Sequence, residues 1–151
     1  MTQEIDAAIR TASLEGVTFS GGEPMQQASA LVEVMHQMRA LSPSASMGMF
    51  TGYTEAELDS GRYATRPGTS AAEKQRLWQL VRGYLDFVVM GRYDRTQPGT
   101  APLRTSRNQQ LVLSSRRYEE RDFTEQIVEV PIAGDGKAVI TGFPILGFPA
   151  I

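Results

Sequence analysis

Glu23 is the side chain best placed for chemistry in this chain of 151 residues. It stands in Gly16-Val17-Thr18-Phe19-Ser20-Gly21-Gly22-Glu23-Pro24, where an apolar run of β-type residues ends in paired glycines and a carboxylate. A strand, a Gly-Gly-Glu-Pro corner and then a helix put that acid at the mouth of a sheet, where parallel α/β proteins bind ligands. Glycine at such a corner admits positive φ and lets a ligand approach the backbone. The carboxylate can accept charge-assisted hydrogen bonds from an ammonium group, and exposed strand-end backbone groups can add to them. A zwitterionic amino acid, or a cofactor containing one, suits the arrangement. The same residues also make a tight strand-to-helix turn, with Glu23 favouring the positive end of the following helix. Both readings stay open at this point. Gly52 and Gly91 mark two further strand ends.

The remaining candidates are weaker. His36 is the sole histidine and falls off the apolar stripe of its helix, so it reads as solvated, and a Ser-His-Asp site has no other histidine to use. Glu55, Glu57 and Asp59 sit together, as helix initiation requires. Met25, Met35, Met38, Met47, Met49 and Met90 read as core filler, with Met90 beside Gly91 a possible pocket liner. Trp78 lies at the margin of its helix's apolar face and reads as packing. Arg92, Arg95, Arg104 and Arg107 gather around one loop, which is either solvated or able to bind a carboxylate or a partner's acidic segment. Arg116 to Asp122 alternate in sign, as an exposed face does. The glycines do not form the phosphate-cradling Gly-x-x-x-x-Gly-Lys pattern.

Composition narrows the function classes. A net charge of −2 leaves no nucleic-acid footprint. No apolar run approaches the roughly 18–20 residues that span a bilayer, and the acidic, amphipathic start is unlike a signal peptide. A cytoplasmic protein without nucleic-acid or membrane partners is expected. The count of cysteines is 0, which excludes a disulfide framework, a thiolate zinc site and a cysteine-ligated cluster supplied by these residues alone.

The elements that must position Glu23 follow from periodicity. Ile5, Ala8, Ile9 and Ala12 predict a helix over 3–13, with Thr2 as its N-cap. Val17 to Ser20 reads as a buried strand. Leu31, Val34, Met35, Met38 and Leu41 predict a helix over 26–41, ended by Ser42-Pro43-Ser44. Met47 to Gly52 is the next strand, and Thr54 with Glu57 forms a capping box. Ser70 and Glu73 form another capping box and open a helix lined by Leu77, Leu80, Val81, Tyr84 and Leu85. Phe87 to Met90 and Gln110 to Leu113 are further strands, and Ala133-Gly134-Asp135-Gly136 predicts a hairpin between 127–132 and 137–141. Strands alternating with helices argue for one domain over 1–151, a parallel α/β layer closed by a C-terminal hairpin.

Several of these segments resemble, in order, the radical SAM activating enzymes. Gly16 to Gln27 is similar to their second-strand signature, Phe50-Thr51-Gly52-Tyr53-Thr54 to the next strand, and Leu85 to Tyr93 to an Asp-to-Gly-Arg-aromatic strand. Leu103-Arg104 and Ser106-Arg107-Asn108-Gln109 resemble a Leu-Arg and Ser-Ser-Asn-Gln segment, with Arg107 replacing the second serine. Val139 to Pro144 also recurs in relatives of the ribonucleotide-reductase activase. The resemblance spans roughly Ile5 to Pro144. It implies a partial parallel (βα) barrel, truncated at the N-terminus because the first strand and the loop bearing three cysteines would precede Met1. It also implies S-adenosylmethionine as cofactor, bound by Ser20, Gly21, Gly22, Glu23, Thr51 and Gly52. A [4Fe–4S] cluster is expected for the family, as is a glycyl-radical enzyme as partner. Without cluster ligands no residue here is catalytic or binds metal, so the expectation is a truncated activase, inactive by itself. The alternatives are a non-catalytic module that binds S-adenosylmethionine or a protein, and a split protein whose cluster segment comes from another chain.

Overall fold

The computed structural model describes residues 2–123. The hairpin expected between 127 and 141 lies outside them. In chain order the elements are α1 (Thr2–Ala12), β1 (Gly16–Phe19), a 3₁₀ turn (Pro24–Gln27), α2 (Ala28–Leu41), β2 (Ser46–Thr51), α3 (Glu55–Asp59), α4 (Ala71–Tyr84), β3 (Phe87–Met90), β4 (Gln110–Leu113) and a second 3₁₀ turn (Glu120–Phe123). Two starts differ from expectation. Thr2 is already helical, and its hydroxyl donates to Gln37 Oε1 at 2.9 Å instead of capping α1. The helix expected from Gln26 begins with the 3₁₀ turn, because Pro24 opens a tight turn before α2.

The four strands form one open sheet in the order β1-β2-β3-β4. β1, β2 and β3 are parallel, with Thr18 opposite Gly48 and Met49 opposite Val88. β4 runs antiparallel to β3, Val88 facing Val112, which corrects the expectation of a uniformly parallel layer. An apolar run specifies a strand but not its direction. Here the connection after β3 turns back at the same rim, so β4 returns beside β3.

The pleat sorts side chains onto two faces. Met47, Met49, Val88 and Met90 point to the main core, where they meet Leu31, Met35 and Met38 of α2 and Leu77, Trp78 and Val81 of α4. The six methionines read as filler are buried in that core, Met90 included. Trp78 is fully buried and donates from Nε1 to Asp59 at 2.8 Å. On the opposite face the Phe87 ring lies over Gly48, where a Cβ would come within 2.1 Å of the ring. Phe87 stacks there with Tyr118 and Phe123.

Asp86 clamps the sheet at the end away from Glu23. Its carboxylate accepts from Met47 N–H at 2.9 Å and Ser115 Oγ at 2.7 Å, and its carbonyl accepts from Ser114 N–H at 2.8 Å. Arg39 and Arg117 stand 4.0 Å and 3.5 Å from the same carboxylate. Arg117 is exposed, as expected, and its guanidinium also joins this clamp. Asp86→Ala leaves a buried N–H and two arginines without their acceptor. It is expected to cost about 2–4 kcal/mol, read from the urea midpoint, and an unchanged midpoint would refute the clamp.

Candidate functional site

Glu23 turns inward at the C-terminal rim of the sheet and ties two strand ends together. Oε1 accepts from Thr51 Oγ1 at 2.7 Å and from Met25 N–H at 3.1 Å, while Oε2 accepts from Gly52 N–H at 2.8 Å. The Met25 contact makes Glu23 the N-cap of the 3₁₀ turn, so the structural reading of the corner is realised. The site reading is not thereby used up. A carboxylate offers about four acceptor positions, and the three protein donors leave one on Oε2. Glu23 is half-buried, and a Cβ built at Gly21 or Gly22 meets nothing within 4 Å. Both glycines have positive φ, 85° and 56°, as the sharp exit from β1 requires.

The third strand end joins the same rim. Gly91 N–H donates to the carbonyls of Thr51 and Tyr53, at 3.1 and 3.0 Å. Of the residues singled out in the sequence, Glu23, Thr51 and Gly52 are brought into direct contact, and Ser20, Gly21 and Gly22 form the exposed lip just before them. The arginine cluster divides. Arg92 leaves it for this rim, with both terminal nitrogens on Glu57 at 3.0–3.1 Å and its guanidinium 5.4 Å from the centre of the Tyr53 ring. Arg104 pairs with Glu120. By sequence, Arg92 groups with that loop. Its one available signal was Glu57, a capping-box acid whose second oxygen was still free for a cation.

The other candidates keep structural roles. Glu57 completes the capping box with Thr54, Glu55 pairs with Arg82 at 3.1 Å, and Asp59 holds Trp78. His36 is exposed, its Nδ1 3.1 Å from the Tyr84 hydroxyl. Behind Tyr53, the Tyr63 hydroxyl donates to the Lys74 carbonyl at 2.6 Å, and burial pushes its pKa up to about 12. Among the described residues no group of three or more His, Cys, Asp or Glu side chains could hold a metal ion. No helix among them is long and apolar enough to cross a membrane.

Residues 1–112 match the family model described as a 4Fe-4S single cluster domain. The chain belongs to that family. It is also 31% identical over 88 residues to the anaerobic ribonucleoside-triphosphate reductase-activating protein of Vibrio cholerae, a match that covers 56% of this chain and 46% of the relative. The chain thus spans about half the length of the relative it matches. No solved structure matches. The two matches establish a relationship of the radical SAM activase type. The family's cluster does not fit the donors present, since none of the 151 residues is cysteine.

The Glu57–Arg92 pair makes a pH signature for the rim. Arg92 and the Thr54 N–H together hold the Glu57 pKa down to about 2, against an ordinary 4.5. Because the folded value is depressed, the stability it contributes is complete above about pH 4.5 and disappears as pH falls toward 2. A carboxyl ¹³C titration should place the Glu57 midpoint well below the ordinary 4.5, and Arg92→Gln should raise it. Midpoints that coincide in both proteins would contradict the pairing.

Proposed function

We propose that this chain is an activase-like protein of radical SAM type whose strand-end corner holds the amino-acid end of S-adenosylmethionine. The observation that carries this reading is the spare acceptor position on Glu23, a carboxylate already locked in place by Thr51, Gly52 and Met25. A fixed carboxylate can receive an ammonium group without first being ordered, so little conformational entropy is lost on binding. Gly21 and Gly22 leave the space for the ligand's backbone-like end, and Ser20 stands beside them. Thr51 acts as a positioning residue, since it donates to Glu23 while accepting from Tyr53 N–H at 3.2 Å.

In this reading the open sheet is one part of a partial (βα) barrel, and residues 1–151 form a single domain. Cluster ligands would come from residues beyond these 151, in the same polypeptide or in another. When bound at such a cluster, S-adenosylmethionine supplies one-electron chemistry. The residues here bind and orient its amino-acid end. The expected client is a glycyl-radical enzyme such as an anaerobic ribonucleotide reductase, on the strength of the activity printed for the Vibrio cholerae relative. On its own the chain binds and does not react.

Calorimetry with three ligands tests the corner. S-adenosylmethionine and S-adenosylhomocysteine carry the amino-acid group, and methylthioadenosine lacks it. A charge-assisted hydrogen bond worth about 1.5–3 kcal/mol predicts roughly 10- to 100-fold weaker binding of methylthioadenosine. Glu23→Gln should reduce the difference, with circular dichroism confirming a native fold. Equal affinity for all three ligands, or no binding by any, would overturn the proposal.

A further inference from the structure

The connection from Gly91 to Gln109 folds into a small structure of its own on the same rim. Pro98 and Ser106 form an antiparallel bridge, Gly99 N–H donates to the Thr105 carbonyl at 3.1 Å and Arg107 N–H to the Gln97 carbonyl at 2.8 Å. Gln109 organises the far side. Its Oε1 accepts from the N–H groups of Thr105 and Ser106 at 2.9 and 3.1 Å, and its Nε2 donates to the Gly91 carbonyl at 3.2 Å. Ser106 is fully buried and takes the Asp94 N–H on its hydroxyl at 3.2 Å. This scaffold borders an open cavity of about 430 Å³ whose lining includes Thr100, Ala101, Arg104, Ser106, Arg107 and Gln109, and contains no carboxylate.

Two arginines line that cavity, each with a donor that has no partner among the described residues. One end of Arg104 is held by Glu120, yet its Nε is enclosed and has no hydrogen-bond partner among the described residues. Buried donors are rarely left unpaired, and one that is calls for a ligand or a water. Arg107 donates from Nε to the Pro98 carbonyl at 3.0 Å, which fixes its stem, while its terminal nitrogens have no partner among the described residues. Arg107 is also the position where the chain departs from the Ser-Ser-Asn-Gln pattern. The second guanidinium is therefore a feature of this sequence and not of that motif.

We propose that this cavity is an oxyanion site, in which Arg104 Nε–H and the free end of Arg107 take the oxygens of one carboxylate or phosphate group. Arginine forks match both groups in shape and charge. The anion belongs either to a polypeptide's acidic side chain or to a phosphorylated small molecule. The site is independent of Glu23 and stands whether or not S-adenosylmethionine binds.

The ¹H–¹⁵N signals of arginine Nε–H groups read it directly in the full chain. Titration with sodium phosphate and with sodium acetate, each against sodium chloride at equal ionic strength, should move the Arg104 Nε–H signal along a saturable curve. Arg107→Gln should weaken that response at least tenfold, while Arg95→Gln, an exposed arginine outside the cavity lining, should leave it unchanged. Tighter saturation by acetate assigns the site to a side-chain carboxylate, and tighter saturation by phosphate assigns it to a phosphorylated ligand. A response no different from chloride, or one unaltered in Arg107→Gln, would show that water satisfies Arg104 and would overturn the proposal. A native thermal melt for Arg107→Gln keeps loss of the response from being mistaken for unfolding.

Discussion

The carboxylate of Glu23 is the contact on which the rim of this sheet depends. It receives one donor from its own turn and two from the end of the neighbouring strand, so a single side chain sets where β1 stops, where the 3₁₀ turn begins and how Thr51 is oriented. Gly91 extends the linkage to the third strand through the Thr51 and Tyr53 carbonyls. A group held on several sides is rigid, and rigidity is what lets a remaining lone pair serve as a recognition element. The structural role of this corner is therefore compatible with the proposed ligand-binding one. The ties that make Glu23 a cap are the ones that aim it.

Around that contact the rim divides its charges. Glu57 and Arg92 neutralise each other beside Tyr53, which keeps an unpaired cation from competing for Glu23. Farther along, the fold of the β3–β4 connection leaves Arg104 and Arg107 incompletely matched. The rim thus presents one spare acceptor and, separately, a concentration of spare donors. An amino-acid zwitterion and an oxyanion are their respective complements. The proposed function uses the first and makes no use of the second.

Much of this was legible locally. The capping boxes expected of Thr54 with Glu57 and of Ser70 with Glu73 depend on residues three apart; the first is complete, and of the second only the Ser70 cap on Glu73 N–H forms. Strands β1, β2 and β3 were readable because short runs of β-type residues ended at glycine or serine. What stayed hidden depends on contacts between distant segments. Nothing near Glu23 in sequence announces that Thr51 and Gly52 will donate to it. Nothing in Gln110–Leu113 specifies that the strand runs antiparallel. The arginines of one loop look alike in sequence, and only the approach of Glu57 and Glu120 separates Arg92 and Arg104 from Arg95. Nothing near Arg117 in sequence announces that Asp86, just before β3, will stand 3.5 Å from its guanidinium.

The central claim is that the unoccupied lone pair of Glu23 receives the ligand's ammonium group. The most direct measurement follows the Glu23 carboxyl carbon and the Gly21, Gly22 and Gly52 amides by NMR while S-adenosylmethionine is added to the intact chain. The account predicts that these four signals move together along one saturation curve, with the distant Asp86 carboxyl fixed. Saturable binding that leaves Glu23 and its glycines unmoved would contradict it.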